Sequence, residues 1–116
     1  MSYNVAVVSP PVPADDQAAW QLLDSLIDQR GPTPAVLHAL IDRLTARYPC
    51  LCDLPDDQID DGVWSDGPLR TNLGYRAAVL GMVYSRVEEV LPFQVETANT
   101  LGLTVFGWQE GQIHRP

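Results

Sequence analysis

The amino-acid sequence predicts an α+β fold, and three observations carry this prediction. Residues 3–8 are rich in β-branched and aromatic side chains and end at a proline cluster, which is typical of a strand. Residues 75–84 contain a single charge and are apolar on both alternating faces, as expected for a strand inside a sheet. Other segments repeat apolar residues at the spacing of amphipathic helices.

The predicted elements follow the order strand, helix, helix, short strand, long strand, helix, strand. The strands are residues 3–8, 62–65, 75–84 and 103–108, and residues 1–116 form a single domain. This is a βαββαβ plan with the first helix doubled (βααββαβ). Two right-handed crossovers make it a ferredoxin-like antiparallel sheet in the order 4-1-3-2, with the helices on one face. The opposite face is expected to be open.

The first two helices are expected to form a hairpin with a short turn. Asp15 and Asp16 can cap the first helix, and Gly31 ends it. Pro34 occupies the favoured first position of the second helix, and Pro49 stops it. The predicted apolar stripes are Ala19, Leu22, Leu23, Leu26 and Ile27 in the first helix and Leu37, Leu40, Ile41, Leu44 and Tyr48 in the second.

A solvated acidic loop is predicted at residues 50–73, which we call the acidic segment. Glycine and proline punctuate it, and no cation precedes Arg70. Residues 62–65 form a short edge strand within it, in a hairpin with the long strand. The aspartates of the segment are Asp53, Asp56, Asp57, Asp60, Asp61 and Asp66.

The third helix is expected to begin at a capping box. Ser85 accepts a hydrogen bond from the amide of Glu88, and the Glu88 carboxylate reaches back to the amide of Ser85. Pro92 bends this helix or tightens its first turn, and Gly102 ends it in the left-handed conformation. Residues 109–116, after the last strand, are expected to form a loose tail.

The charge balance excludes several classes of function. With 15 Asp and Glu against 7 Lys and Arg, the net charge of -8 is the wrong sign for binding a nucleic-acid backbone. Every cation is Arg, so Schiff-base chemistry and phosphate binding by a P-loop lysine are excluded. No apolar run reaches the length of a membrane span, and no basic region precedes the first apolar stretch. We expect a cytoplasmic protein that binds neither nucleic acid nor membrane.

Neither a metal, a cofactor nor catalysis is predicted. Cys50 and Cys52 with His38 are too few ligands for a structural zinc site, and a buried cysteine explains the pair more simply. The acidic segment lacks the spacing and the closing Glu of an EF-hand. No Gly-x-Ser-x-Gly motif or positioned base is present, so the protein is expected not to be an enzyme.

A series of short motifs extends over nearly the whole chain. It comprises Tyr3-Asn4-Val5-Ala6-Val7, Thr33-Pro34-Ala35, Arg47-Tyr48-Pro49, Trp64-Ser65-Asp66-Gly67-Pro68-Leu69, Val83-Tyr84-Ser85-Arg86, Glu88-Glu89-Val90, Pro92-Phe93 and Gly102-Leu103-x-x-Phe106. In this order the motifs resemble those of a family of short, acidic, uncharacterised bacterial proteins, some of which are suspected immunity partners in toxin systems. Gly107-Trp108 departs from the acidic Phe-Asp ending common in that family. The resemblance implies no catalytic residues.

Two main hypotheses of function follow, and a third, in which Cys50, Cys52 and His38 bind a metal ion, is less favoured but stays open. In the first, the protein is a non-enzymatic interaction module, of the immunity type, that binds a basic protein or a second copy of itself. The partner-binding residues are Asp53, Asp56, Asp57, Asp60, Asp61, Trp64 and Asp66. In the alternative, the open sheet face binds a small ligand, as in a ligand-binding protein or a degenerate enzyme. The ligand-binding residues are then Tyr75, Arg76, Tyr84 and Trp108.

Overall fold

The computed structural model describes residues 2–29, 31–50, 54–55, 57, 62–65 and 73–116, and within them the fold is α+β. The strands of these residues are β1 (Ser2–Val8), β2 (Ala77–Val83), β3 (Thr104–Gly107) and β4 (Gln112–His114). The helices are α1 (Asp16–Ile27), α2 (Ala35–Arg47) and α3 (Val87–Thr100). No helix in this part of the chain is both long and apolar enough to cross a membrane.

The strands form one antiparallel sheet in the order β2-β1-β3-β4. Val8 of β1 lies opposite Ala77 of β2 on one side and opposite Thr104 of β3 on the other. The first strand therefore lies between the long strand and the strand that follows the third helix. This confirms the predicted neighbours of the first strand.

The helices cover both faces of the sheet, so the prediction of helices on one face is wrong. Val5 and Val7 of β1 pack into the cluster that contains residues of α2 and α3. Ala6 and Val8 point to the other face because successive side chains of a strand alternate, and they pack with α1. The predicted hairpin of α1 and α2 is also wrong, because these two helices lie on opposite faces of the sheet. β1 is apolar on both faces, so both faces have to be covered.

The predicted short edge strand is reduced to an isolated bridge. Trp64 pairs with Met82 on the edge of β2 that faces away from β1. Two backbone hydrogen bonds flank this bridge: Ser65 donates to the Gly81 carbonyl at 2.9 Å, and Val83 donates to the Val63 carbonyl at 2.8 Å. Further along the same edge, a second bridge joins Leu73 to Ala78. The predicted partner strand is therefore right, whereas its predicted length is not.

The tail after β3 is part of the sheet, which corrects the predicted loose tail at residues 109–116. Residues 112–114 form β4, which pairs with β3. Arg115 then donates to the Pro13 carbonyl at 2.8 Å and to the Asp16 carboxylate at 2.9 Å. These contacts tie the tail to the beginning of α1.

Some of the helix ends agree with the sequence and others do not. α1 ends at Ile27 rather than near Gly31, and Pro34 is the N-cap of α2 rather than its first residue, whereas α2 ends before Pro49 as predicted. The Asp15 carboxylate accepts from the Ala18 amide at 2.9 Å, as predicted for the cap of α1. Gly102 has φ of 80°, and the Leu103 amide donates to the Ala98 carbonyl, which is the predicted left-handed end of α3. The capping box at Ser85 does not form: a 3₁₀ turn at Tyr84–Arg86 precedes α3, and no side chain described in the structure caps the helix.

A buried amide lies among the buried residues of α3. Gln94 is fully buried, and the other buried residues of α3 are Val90, Thr97 and Ala98. Neither Nε2 nor Oε1 of Gln94 has a hydrogen-bond partner among the described residues. An unpaired buried polar group costs free energy, because water solvates it in the unfolded chain.

We therefore predict that Gln94→Met stabilises the protein by about 1–2 kcal/mol, because an apolar side chain of similar length replaces an unpaired amide. Urea unfolding followed by circular dichroism measures the change. Gln21→Met on the exposed surface of α1 is the control and should stay within about 0.5 kcal/mol of the parent. A loss of stability in the Gln94 variant would contradict the interpretation of this amide as unpaired.

Candidate partner-binding surface

The chain at the end of α2 meets residues 63–64 of the acidic segment at one buried place. After α2, Tyr48 and Cys50 are buried, and Val63 and Trp64 are buried where the chain returns. The indole Nε1 of Trp64 donates to the backbone carbonyl of Tyr48 at 2.8 Å. We call these residues the base of the acidic segment. The hydrogen bond holds the two ends of an intervening stretch of 15 residues close together.

Trp64 does not lie on an open face, which corrects its placement as a surface contact. Its side chain is 1% exposed and belongs to the core cluster of α2 and α3. The bridge to Met82 points the indole into this core, and the Tyr48 carbonyl pairs its only polar atom. The side chain of Trp64 is therefore not accessible to a partner, which removes the support for its predicted role in binding.

The predicted aspartates lie mostly outside the described residues. Asp57 is exposed, as expected for a residue that meets a partner. Leu54 is half-buried and Pro55 is exposed, so the segment reaches the surface at residues 54–57, whereas Cys50, Val63 and Trp64 of the same segment are buried. The predicted residues that fall outside the described part of the chain are Asp53, Asp56, Asp60, Asp61 and Asp66.

Two arginines lie beside the base of the acidic segment. The guanidinium carbon of Arg47 is 5.1 Å from the ring centroid of Phe93 and 5.4 Å from that of Tyr48. Such distances are typical of cation–π contacts. Arg47 and Arg86 also line a cavity of about 280 Å³, together with Tyr48 and Val63 from the base. Positive charge therefore lies beside the base of the acidic segment.

Arg86 binds the carboxylate of Glu89 one turn further along α3. Its Nε and Nη2 atoms donate to the two carboxylate oxygens at 3.1 and 3.0 Å. These hydrogen bonds hold the pKa of Glu89 below its ordinary value, and the charge of Arg47 lowers it further. The pair is solvent-exposed, so it orients the Arg86 side chain more than it stabilises the fold.

The four residues of the ligand-binding alternative lie in three separate places. Tyr75 lines a groove between α1 and β2. Arg76 has φ of 62° in the turn before β2, and its Nη2 donates to the carbonyls of Ser9 at 2.9 Å and Pro11 at 2.6 Å. These contacts give Arg76 a structural role.

Tyr84 and Trp108 are exposed far from that turn. Tyr84 packs edge-on against Tyr3 at 6.0 Å between ring centroids, and Gln109 donates to its hydroxyl. Trp108 follows β3 and is 36% exposed. α1 covers part of the face that is predicted to be open, and Arg76, Tyr84 and Trp108 are not among the residues that line the groove of Tyr75.

The structure describes two of the three candidates for a metal site of cysteine and histidine, namely Cys50 and His38. Cys50 is buried in the core cluster, His38 is exposed on α2, and Cys52 lies outside the described residues. In the part of the chain that is described, no three His, Cys, Asp or Glu side chains are grouped so that they could hold a metal ion.

The sequence reasoning missed Ile27 and Asp28 at the C-terminal end of α1. Ile27 was assigned to the apolar stripe of the helix, yet 46% of its surface is exposed. Both residues line the same groove as Tyr75. The sequence contains a sign that these residues are unusual. Asp24 and Asp28 lie one helical turn apart near Ile27. Acidic side chains at the C-terminal end of a helix are unfavourable, because that end already carries partial negative charge.

Comparisons with known proteins identify no relative. No protein-family model, no curated protein and no solved structure matches this chain.

The hydrogen bond at the base of the acidic segment yields a stability prediction. Trp64→Phe should destabilise the protein by about 2–3 kcal/mol, because it leaves the Tyr48 carbonyl unpaired and opens a small cavity. Urea unfolding measures the change. Trp108→Phe, on an exposed tryptophan, is the matched control and should change stability by less than about 0.5 kcal/mol. Equal effects of the two substitutions would contradict the structural role of Trp64.

A second prediction concerns the ion pair. Arg86→Gln should raise the pKa of Glu89 toward its ordinary value, because the hydrogen bonds that stabilise the carboxylate are lost. The pair contributes stability above the unfolded-state pKa of Glu89, and this contribution is lost as the pH falls through the folded-state value. A ¹³C NMR titration of the glutamate side chains measures the shift. Arg43→Gln is the control, and a Glu89 pKa that moves equally in both variants would contradict the assignment.

Proposed function

We propose that the protein is a non-enzymatic interaction module that binds a basic partner protein through its acidic segment. The observation that carries the proposal is the charge pattern. Six of the 15 acids lie between residues 53 and 66, and no cation lies within that stretch. Concentrated charge of one sign accelerates association with an oppositely charged surface and favours that partner over others.

The base of the acidic segment supports the proposal because it closes residues 49–63, which include five of the six aspartates. The hydrogen bond from Trp64 to the Tyr48 carbonyl brings the two ends of this stretch together when the protein folds, so a partner does not have to do so. Arg47 and Arg86 lie beside the base, so positive charge borders the acidic segment at this point.

The resemblance to acidic bacterial proteins adds a class of partner. Some members of that family are suspected of neutralising toxins, and many such complexes depend on complementary charge. We include in the proposal that the partner is a basic toxin encoded beside the gene for this chain. The protein is then cytoplasmic, where a toxin must be neutralised before it harms its own cell.

The ferredoxin-like assignment of the fold is also part of the proposal. The strand order agrees with it when the Trp64 bridge counts as the short strand and β4 as an addition to the edge. The placement of α1 on the second face departs from it. The ligand-binding alternative has less support, because Tyr75, Arg76, Tyr84 and Trp108 are dispersed.

The test uses the product of the adjacent gene as the probe. The four substitutions Asp56→Asn, Asp57→Asn, Asp60→Asn and Asp61→Asn remove four charges from the acidic segment. We expect them together to weaken binding at low salt by about tenfold or more, mainly through slower association, and to reduce the salt dependence. Surface plasmon resonance at several salt concentrations measures both.

A matched control removes four charges elsewhere, through Asp42→Asn, Glu88→Gln, Glu96→Gln and Glu110→Gln. The net charge of the two variants is identical, so only the location differs. We expect the control to bind within about threefold of the parent, since distant exposed charges are screened. If both variants bind as the parent does, the acidic segment has no role in recognition. If the neighbouring protein does not bind the parent, the immunity assignment is wrong.

A further inference from the structure

We draw no further inference here: the strongest candidate, the cavity of about 280 Å³ that Arg47 and Arg86 line beside the base of the acidic segment, is also lined by Leu54, whose neighbour Asp53 lies outside the described residues, and nothing in the structure shows what covers it.

Discussion

The burial of β1 on both faces is the constraint on which the rest of the structure depends. Val5, Ala6, Val7 and Val8 have no exposed surface, and their side chains alternate between the two sides of the sheet. A strand of this kind is stable only if each face is covered and each edge is paired. The neighbouring strands supply the pairing, and α1 on one face and α2 with α3 on the other supply the cover.

The two layers differ in how their charges are paired. Residues 16–27 of α1 include Asp16 and Asp24 but no cation, and the Asp16 carboxylate is paired from outside the helix by Arg115. In the layer of α2 and α3, Arg47 lies over the rings of Tyr48 and Phe93, and Arg86 pairs with Glu89.

The neighbours of the first strand were predictable from sequence, because strand periodicity and short connections leave few arrangements. The side of the sheet that α1 covers was not, since an apolar stripe is the same whichever face it packs against. The burial of Trp64 was not predictable, because a large apolar residue in an acidic stretch is consistent with an exposed contact and with a core residue. Its hydrogen bond to the Tyr48 carbonyl, which shows that it belongs to the core, joins residues that are distant in sequence. β4 was missed although its pairing with β3 is local: the two strands form a hairpin whose turn contains Gly111 at φ of 67°, but β4 itself is only three residues long.

The three tryptophans lie in different environments, so their fluorescence reports on different parts of the protein. Trp20 packs edge-on against Phe106 in the layer of α1, Trp64 is buried in the layer of α2 and α3, and Trp108 faces solvent. Each indole thus experiences a different polarity and a different access to a collisional quencher. Variants that retain a single tryptophan would emit at distinct wavelengths, so loss of either layer during unfolding could be followed separately from events at the surface.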